Sequence, residues 1–84
     1  MDAAGDVAVR LKALSARHLY VAPAELTVAA TLTNDLGLDS LAAIEWGMVI
    51  EDEFGVRLPE AAWRDLTTYG DVQRFVEAAA SRRG

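Results

Sequence analysis

Apolar residues recur along this chain at the spacing of helices rather than of strands. Near the start, Val7, Leu11 and Leu14 follow one another at positions i, i+4 and i+7. Asp6 stands where a residue that caps the helix start is expected. The pattern predicts a first helix over about residues 6–20.

A second helix, predicted over residues 40–54, has two different faces. The face that we expect in the core holds Ala43, Trp46, Gly47, Ile50 and Phe54. The other face mixes apolar and acidic residues and holds Leu41, Glu45, Met48 and Asp52, with Glu51 beside them. Such a mixture is typical of transient docking to a basic, apolar partner groove, although scattered surface hydrophobic residues are the alternative. We expect Gly47 to allow the close approach of another helix or to leave room for the Trp46 indole.

Boundary signals follow the second helix. Gly55 suits the left-handed position just past a helix end. Thr68 and Asp71 form a capping-box pattern ahead of a third helix, predicted over about residues 69–81. A short helix is predicted over residues 60–66, between the second and third helices. The residues that we expect to face inward are Ala62, Trp63 and Leu66.

A long connection without helical period separates the first two helices, and such a segment in a small domain is usually functional. The apolar residues that we expect to fix it to the core are Val28, Leu32, Leu36 and Leu38. We therefore predict an all-α fold and a single domain over residues 1–84. It is a small helical bundle of three main helices plus one short helix, with a long loop between helices 1 and 2.

Composition narrows the possible functions. With no Cys and with His18 as the single histidine, the chain has no disulfide framework and no histidine or thiolate metal cluster. No apolar run approaches the length that crosses a bilayer, and the start lacks the pattern of a secretory signal. We expect a cytoplasmic monomer that does not bind membranes.

Acidic residues are concentrated in the middle of the chain. Residues 19–56 contain seven Asp or Glu and no Lys or Arg, whereas the whole chain has a net charge of −5. A block of this kind repels nucleic acids and attracts basic protein surfaces. The alternative is a solvated face that only keeps the protein soluble.

Ser40 stands at the predicted start of the second helix, directly after a turn signal. The unpaired N–H groups and the positive dipole end of a helix start favour a phosphate there. A serine nucleophile would need a general base, and residues 37–41 lack the Gly-x-Ser-x-Gly elbow. We therefore expect a modified serine on a docking helix rather than an enzyme.

At these residues the sequence resembles the acyl carrier protein family. The family's phosphopantetheine attachment motif is similar to the run DLGLDSL at residues 35–41, and the resemblance extends over nearly the whole chain. It implies that Ser40 forms a phosphodiester to 4′-phosphopantetheine from coenzyme A, and that Asp39 belongs to the same cofactor-binding site. The thiol of this group holds acyl groups as thioesters. The implied partners are a phosphopantetheinyl transferase, a ketosynthase, acyltransferases and tailoring enzymes with basic docking surfaces. The implied docking residues are Leu41, Glu45, Met48, Glu51 and Asp52.

The same resemblance implies an acyl pocket, and its candidate residues are Trp46, Ile50, Trp63 and Leu66. Trp46 and Trp63 stand where the family more often has aliphatic or small residues. We expect the two indoles to fill or reshape the pocket, so that long saturated chains are poorly sequestered; the alternative is that both only pack the core. The Ala- and Arg-rich composition, with a single Lys, favours a polyketide or other natural-product pathway, such as antibiotic biosynthesis. The start at Met1 suggests a free-standing carrier.

Other interpretations stay open from the sequence. A peptidyl or aminoacyl carrier shares the fold and the serine, although Asp39 favours acyl cargo, and a carrier of fatty acid synthesis is a further possibility. From a different class, the chain would be a protein-interaction module whose Ser40 is unmodified or phosphorylated by a kinase. An acyl-transfer enzyme is disfavoured by the missing base.

Overall fold

A computed structural model describes residues 3–83 and the side chains of residues 5–82. Its elements, in chain order, are α1 (Ala3–Leu19), a 3₁₀ turn (Pro23–Glu25), α2 (Ser40–Phe54), a 3₁₀ helix (Glu60–Asp65) and α3 (Tyr69–Arg83). The described residues form no strand, so the predicted all-α bundle of three main helices and a short one is confirmed. Residues 1, 2 and 84 of the predicted domain lie outside the described residues. Within that part of the chain, no helix has the length and apolar character needed to span a membrane.

The ends of α2 are those predicted, because both are set by local chemistry. Asp39 caps the start: its backbone is extended, and its Oδ1 accepts a hydrogen bond from the Ala42 N–H at 2.8 Å. Gly55 ends the helix with φ 63°, a left-handed conformation that glycine adopts without steric strain. The predicted start of α1 is wrong, since the helix begins at Ala3 and Asp6 lies in its first turn. At this position Asp6 does not cap the helix, but its negative charge still interacts favourably with the positive end of the helix dipole.

The start of α3 contains the predicted capping box. The Thr68 Oγ1 accepts from the Asp71 N–H at 3.1 Å, while the Asp71 carboxylate accepts from the N–H groups of Thr67 and Thr68. These two backbone hydrogen bonds, helped by Arg74, hold the pKa of Asp71 below its usual range. The helix then runs to Arg83, beyond the predicted end near residue 81.

The long connection between α1 and α2 is held by the start of α3. Three backbone hydrogen bonds of 2.9–3.0 Å join them: Leu32 N–H to Thr67 O, Tyr69 N–H to Ala30 O, and Gly70 N–H to Val28 O. Leu32 and Leu38 are buried and Leu36 is half-buried, as expected. Val28 is 60% exposed, so its predicted place in the core is wrong, and Ala30 is buried instead. The connection is anchored largely through its backbone, which a search for apolar periodicity does not detect.

Candidate functional site

Ser40 is held at the surface by the end of the long connection. The Leu38 N–H donates to Leu32 O at 2.9 Å, which closes the loop just before the cap. Asp39 then caps α2, so Ser40 is the first residue of a 15-residue helix, and its side chain is exposed. A helix start of this kind favours a negatively charged group on the serine oxygen.

A cleft of about 250 Å³ opens beside Ser40. Its lining residues come from the long connection, α2 and the 3₁₀ helix: Leu32, Thr33, Leu38, Asp39, Ser40, Ala43, Ile44, Glu60, Trp63 and Leu66. Of the four predicted pocket residues, Trp63 and Leu66 line this cleft. Trp46 and Ile50 do not line it, because both are 0% exposed and lie in the core.

Ile44 is a lining residue that the sequence analysis missed. It is 39% exposed and stands four positions after Ser40, one helical turn along the same side of α2. That spacing was a usable signal, because any group on Ser40 that lies along α2 passes this residue.

The Trp63 ring that lines the cleft packs against Trp46, which in turn stacks on Tyr69. The Trp46 ring stacks on Tyr69 with centroids 6.3 Å apart and planes 17° apart, and its centroid is 5.8 Å from that of Trp63. The Trp46 indole N–H donates to the Ser15 hydroxyl at 2.9 Å, and both residues are fully buried. Ser15 had no predicted role, since a lone serine within an apolar stripe gives no sign that it faces an indole.

Tyr69 contributes a buried hydroxyl without a hydrogen-bond partner among the described residues. Burial raises the pKa of Tyr69 to about 12, although the nearby Ser15 hydroxyl acts in the opposite direction. The group is therefore neutral at ordinary pH, and its ring serves mainly as packing for Trp46.

Gly47 makes room for Trp63 rather than for Trp46. A Cβ at this position would lie 2.9 Å from the Trp63 Cζ2 atom. The expected close approach is therefore real, but the approaching group is an indole from the 3₁₀ helix. Trp63 is half-buried in this position, with its ring against the backbone of α2.

The predicted docking stripe on α2 is exposed in the structure. Leu41 is 66% and Met48 is 62% exposed. Glu45, which stands between them, and Asp52, one turn after Met48, are also exposed. Glu51 differs from these four, since it is half-buried and its Oε2 accepts from the Leu58 N–H at 2.7 Å. Its carboxylate fixes the chain after α2, so a role for Glu51 in docking stays a prediction.

Most of the central acidic block has a structural partner. Four carboxylates accept from backbone N–H groups and one pairs with an arginine: Glu25 with Ala22, Asp35 with Thr31, Asp39 with Ala42, Glu51 with Leu58, and Glu53 with Arg10. Among the described residues, Glu45 and Asp52 have no such partner. The exposed stripe thus holds the two carboxylates of the block that the described part of the fold does not already use.

The described residues contain no group of three or more His, Asp or Glu side chains that could hold a metal ion.

A comparison with protein-family models gives an independent finding about this chain. A family model described as phosphopantetheine attachment site matches residues 9–78, which include α2, both 3₁₀ segments and most of α1 and α3.

Proposed function

Because the chain belongs to the phosphopantetheine attachment site family, we propose that Ser40 is the residue that bears the prosthetic group. The family binds 4′-phosphopantetheine covalently, and its members are carriers rather than enzymes. A carrier interacts with a phosphopantetheinyl transferase and with biosynthetic enzymes. The observation that carries the assignment is the exposed Ser40 hydroxyl at the start of α2, beside an apolar cleft.

The surroundings of Ser40 fit a phosphodiester. The Asp39 carboxylate is held by the Ala42 N–H, so it is bonded within the helix cap. The positive end of the α2 dipole offsets the charge of a phosphate on the neighbouring oxygen. The cleft beside Ser40 offers Leu66 and Trp63 as apolar contacts for an arm or its cargo.

Attachment at Ser40 is a phosphoryl transfer. A bond forms between the serine Oγ and the phosphorus that bears the pantetheine, while the phosphoanhydride bond of coenzyme A breaks. Adenosine 3′,5′-bisphosphate leaves, and the hydroxyl proton passes to a base on the transferase. When bound, the group supplies a flexible thiol that holds cargo as a thioester. The carrier's own residues present the hydroxyl and contact the arm.

We assign acyl rather than aminoacyl or peptidyl cargo, on the strength of Asp39 immediately before Ser40. The Ala- and Arg-rich composition favours a polyketide or related pathway over general fatty acid synthesis. Loading assays distinguish acyl from aminoacyl or peptidyl cargo. An acyltransferase with malonyl- or acetyl-coenzyme A should charge the holo protein, whereas adenylating enzymes with amino acids should not.

Incubation with coenzyme A, Mg²⁺ and a broad-specificity phosphopantetheinyl transferase should add the mass of one phosphopantetheine to the protein. The Ser40→Ala variant should gain no mass, because it lacks the attacking oxygen. Intact mass spectrometry makes the measurement, and circular dichroism confirms that the variant is folded. A second variant, Ser15→Ala, removes a buried serine and should still be modified in its folded fraction. Modification of Ser40→Ala would disprove the assignment.

We propose that the docking stripe of Leu41, Glu45, Met48 and Asp52 contacts basic surfaces of these enzymes. The double variant Glu45→Gln/Asp52→Asn should lower kcat/KM for the transferase several-fold in dilute buffer. Each exposed ion pair is worth at most about 1 kcal/mol, or about fivefold, and salt screens it. The difference from the native protein should therefore shrink as ionic strength rises.

Asp6→Asn is the matched control for this docking measurement. Asp6 is exposed on α1, so the variant removes one negative charge away from the stripe. If Asp6→Asn slows the reaction as much as Glu45→Gln alone, net charge rather than the stripe controls docking.

A further inference from the structure

The interior of the bundle behind Ser40 is filled by aromatic rings. Trp46 is 0% and Tyr69 is 1% exposed, and the two rings are stacked. The hydrogen bond from the Trp46 indole to Ser15 fixes the orientation of the ring. An acyl chain that entered here would have to break this hydrogen bond and separate the stack.

Trp63 fills the space between the 3₁₀ helix and α2. Its ring contacts the backbone of α2 where Gly47 lacks a Cβ, and it packs at a tilt of 46° against Trp46. The half-buried indole thus has one side toward Trp46 and another in the cleft beside Ser40. Trp63 forms the boundary between the cleft and the core.

A second cleft continues on the outside of this boundary. It has a volume of about 290 Å³ and shares Ile44, Glu60 and Trp63 with the first cleft. Its other lining residues are Gly47, Met48, Glu51, Leu58 and Pro59. Because they share these residues, the two clefts lie side by side along α2 from Ser40 to Met48, a distance of about 12 Å at the helical rise of about 1.5 Å per residue, and we treat them as one surface groove.

We propose that this protein carries short acyl groups in the surface groove against Trp63, and that it does not enclose long saturated chains. The inference rests on the proposed attachment at Ser40. The arm on Ser40 bends within the groove, so that a short group at its end lies against the Trp63 indole. A longer chain continues along the outside of α2 toward Met48, because Trp63 and the Trp46 stack block the way inward.

A series of cargo lengths tests this proposal. The holo protein is prepared with non-hydrolysable thioether analogues of acetyl, butyryl and octanoyl groups, and amide and indole N–H shifts are recorded by NMR. Butyryl should shift the Trp63 indole N–H and the amides of Ile44 and Leu66. Extension to octanoyl should add shifts at Met48 and Leu58 and leave the Trp46 indole N–H unchanged. Octanoyl-dependent shifts at Trp46 in the native protein would overturn the proposal.

Variants at Trp63 test the barrier directly. Trp63→Ala should admit the octanoyl chain, so that the Trp46 indole N–H now shifts with chain length. Trp63→Phe keeps a ring in place and should behave as the native protein does. If the folded Trp63→Ala variant still shows no shift at Trp46, Trp63 is not the barrier. If that variant does not fold, the series on the native protein decides the proposal alone.

Intact mass separates this inference from the proposed function. Absence of the phosphopantetheine mass gain would contradict the attachment at Ser40 and the inference with it. A normal mass gain together with an octanoyl chain in the core would leave the attachment in place and contradict only the inference.

Discussion

Replacement of Trp46 by alanine should lower the free energy of unfolding by about 3–5 kcal/mol, the range for large aromatic residues removed from a core. The side chain is fully buried, stacks on Tyr69 and donates to Ser15, so the variant loses packing and leaves a buried hydroxyl without its donor. Domains are stable by only about 5–15 kcal/mol, with small ones at the low end, so much of the population should be unfolded. Urea denaturation followed by circular dichroism makes the measurement.

Two other variants serve as controls for Trp46. Trp63→Ala should lower the free energy of unfolding by less, since that indole is only half-buried. Tyr69→Phe keeps the stacked ring and removes a hydroxyl that has no hydrogen-bond partner within the described part of the chain, so stability should change by less than about 1 kcal/mol. Equal losses for Trp46→Ala and Trp63→Ala would show that Trp46 is not the centre of the core.

The Gly70→Ala variant should be destabilised by about 1–3 kcal/mol or more, the usual range for overpacking. At exposed helix positions the same substitution stabilises by up to about 1 kcal/mol, so the expected sign is reversed here. A Cβ on Gly70 would lie 2.5 Å from Val28 Cγ1 and 2.8 Å from the Val28 carbonyl oxygen. The long connection would have to move away from α3, and its hydrogen bond to the Gly70 N–H would weaken.

The double variant Val28→Ala/Gly70→Ala tests this explanation. Removal of the valine methyl groups relieves one clash but leaves the carbonyl oxygen in place. Thermal unfolding should therefore show partial recovery relative to Gly70→Ala. Val28→Ala alone should have a small effect, because that side chain is 60% exposed. A stabilised Gly70→Ala protein would contradict the close contact.

The sequence predicted α2 well because its boundary signals are local. Asp39 and Gly55 act on backbone groups within a few residues, so the bounds at Ser40 and Phe54 follow from short-range chemistry. The exposed positions of Leu41 and Met48 followed from helical periodicity in the same way. The start of α1 was misplaced because Gly5 and Asp6 suggest a helix boundary, whereas the helix runs through both and begins at Ala3.

Features that depend on distant partners were not predictable from a single sequence. The irregular segment around Val28 and Ala30 has no period, so its buried and exposed residues could not be told apart. The acidic block looked uniform, yet Glu51 accepts from a loop N–H while Glu45 and Asp52 have no partner among the described residues. Trp46 and Trp63 looked equivalent as pocket residues, and only the fold separates a core ring from a cleft ring.

The attachment of the long connection to α3 has a consequence for the order of events during synthesis. Hydrogen bonds join residues 28–32 to residues 67–70. The backbone groups in each pair are roughly 35–42 positions apart in the sequence. Closing so long a loop is entropically costly and slow compared with forming any one helix. A nascent chain that ends before α3 lacks the hydrogen-bond partners of residues 28–32, so the connection that leads to residue 40 is not anchored. The carrier should therefore become a good substrate for modification only after α3 has left the ribosome.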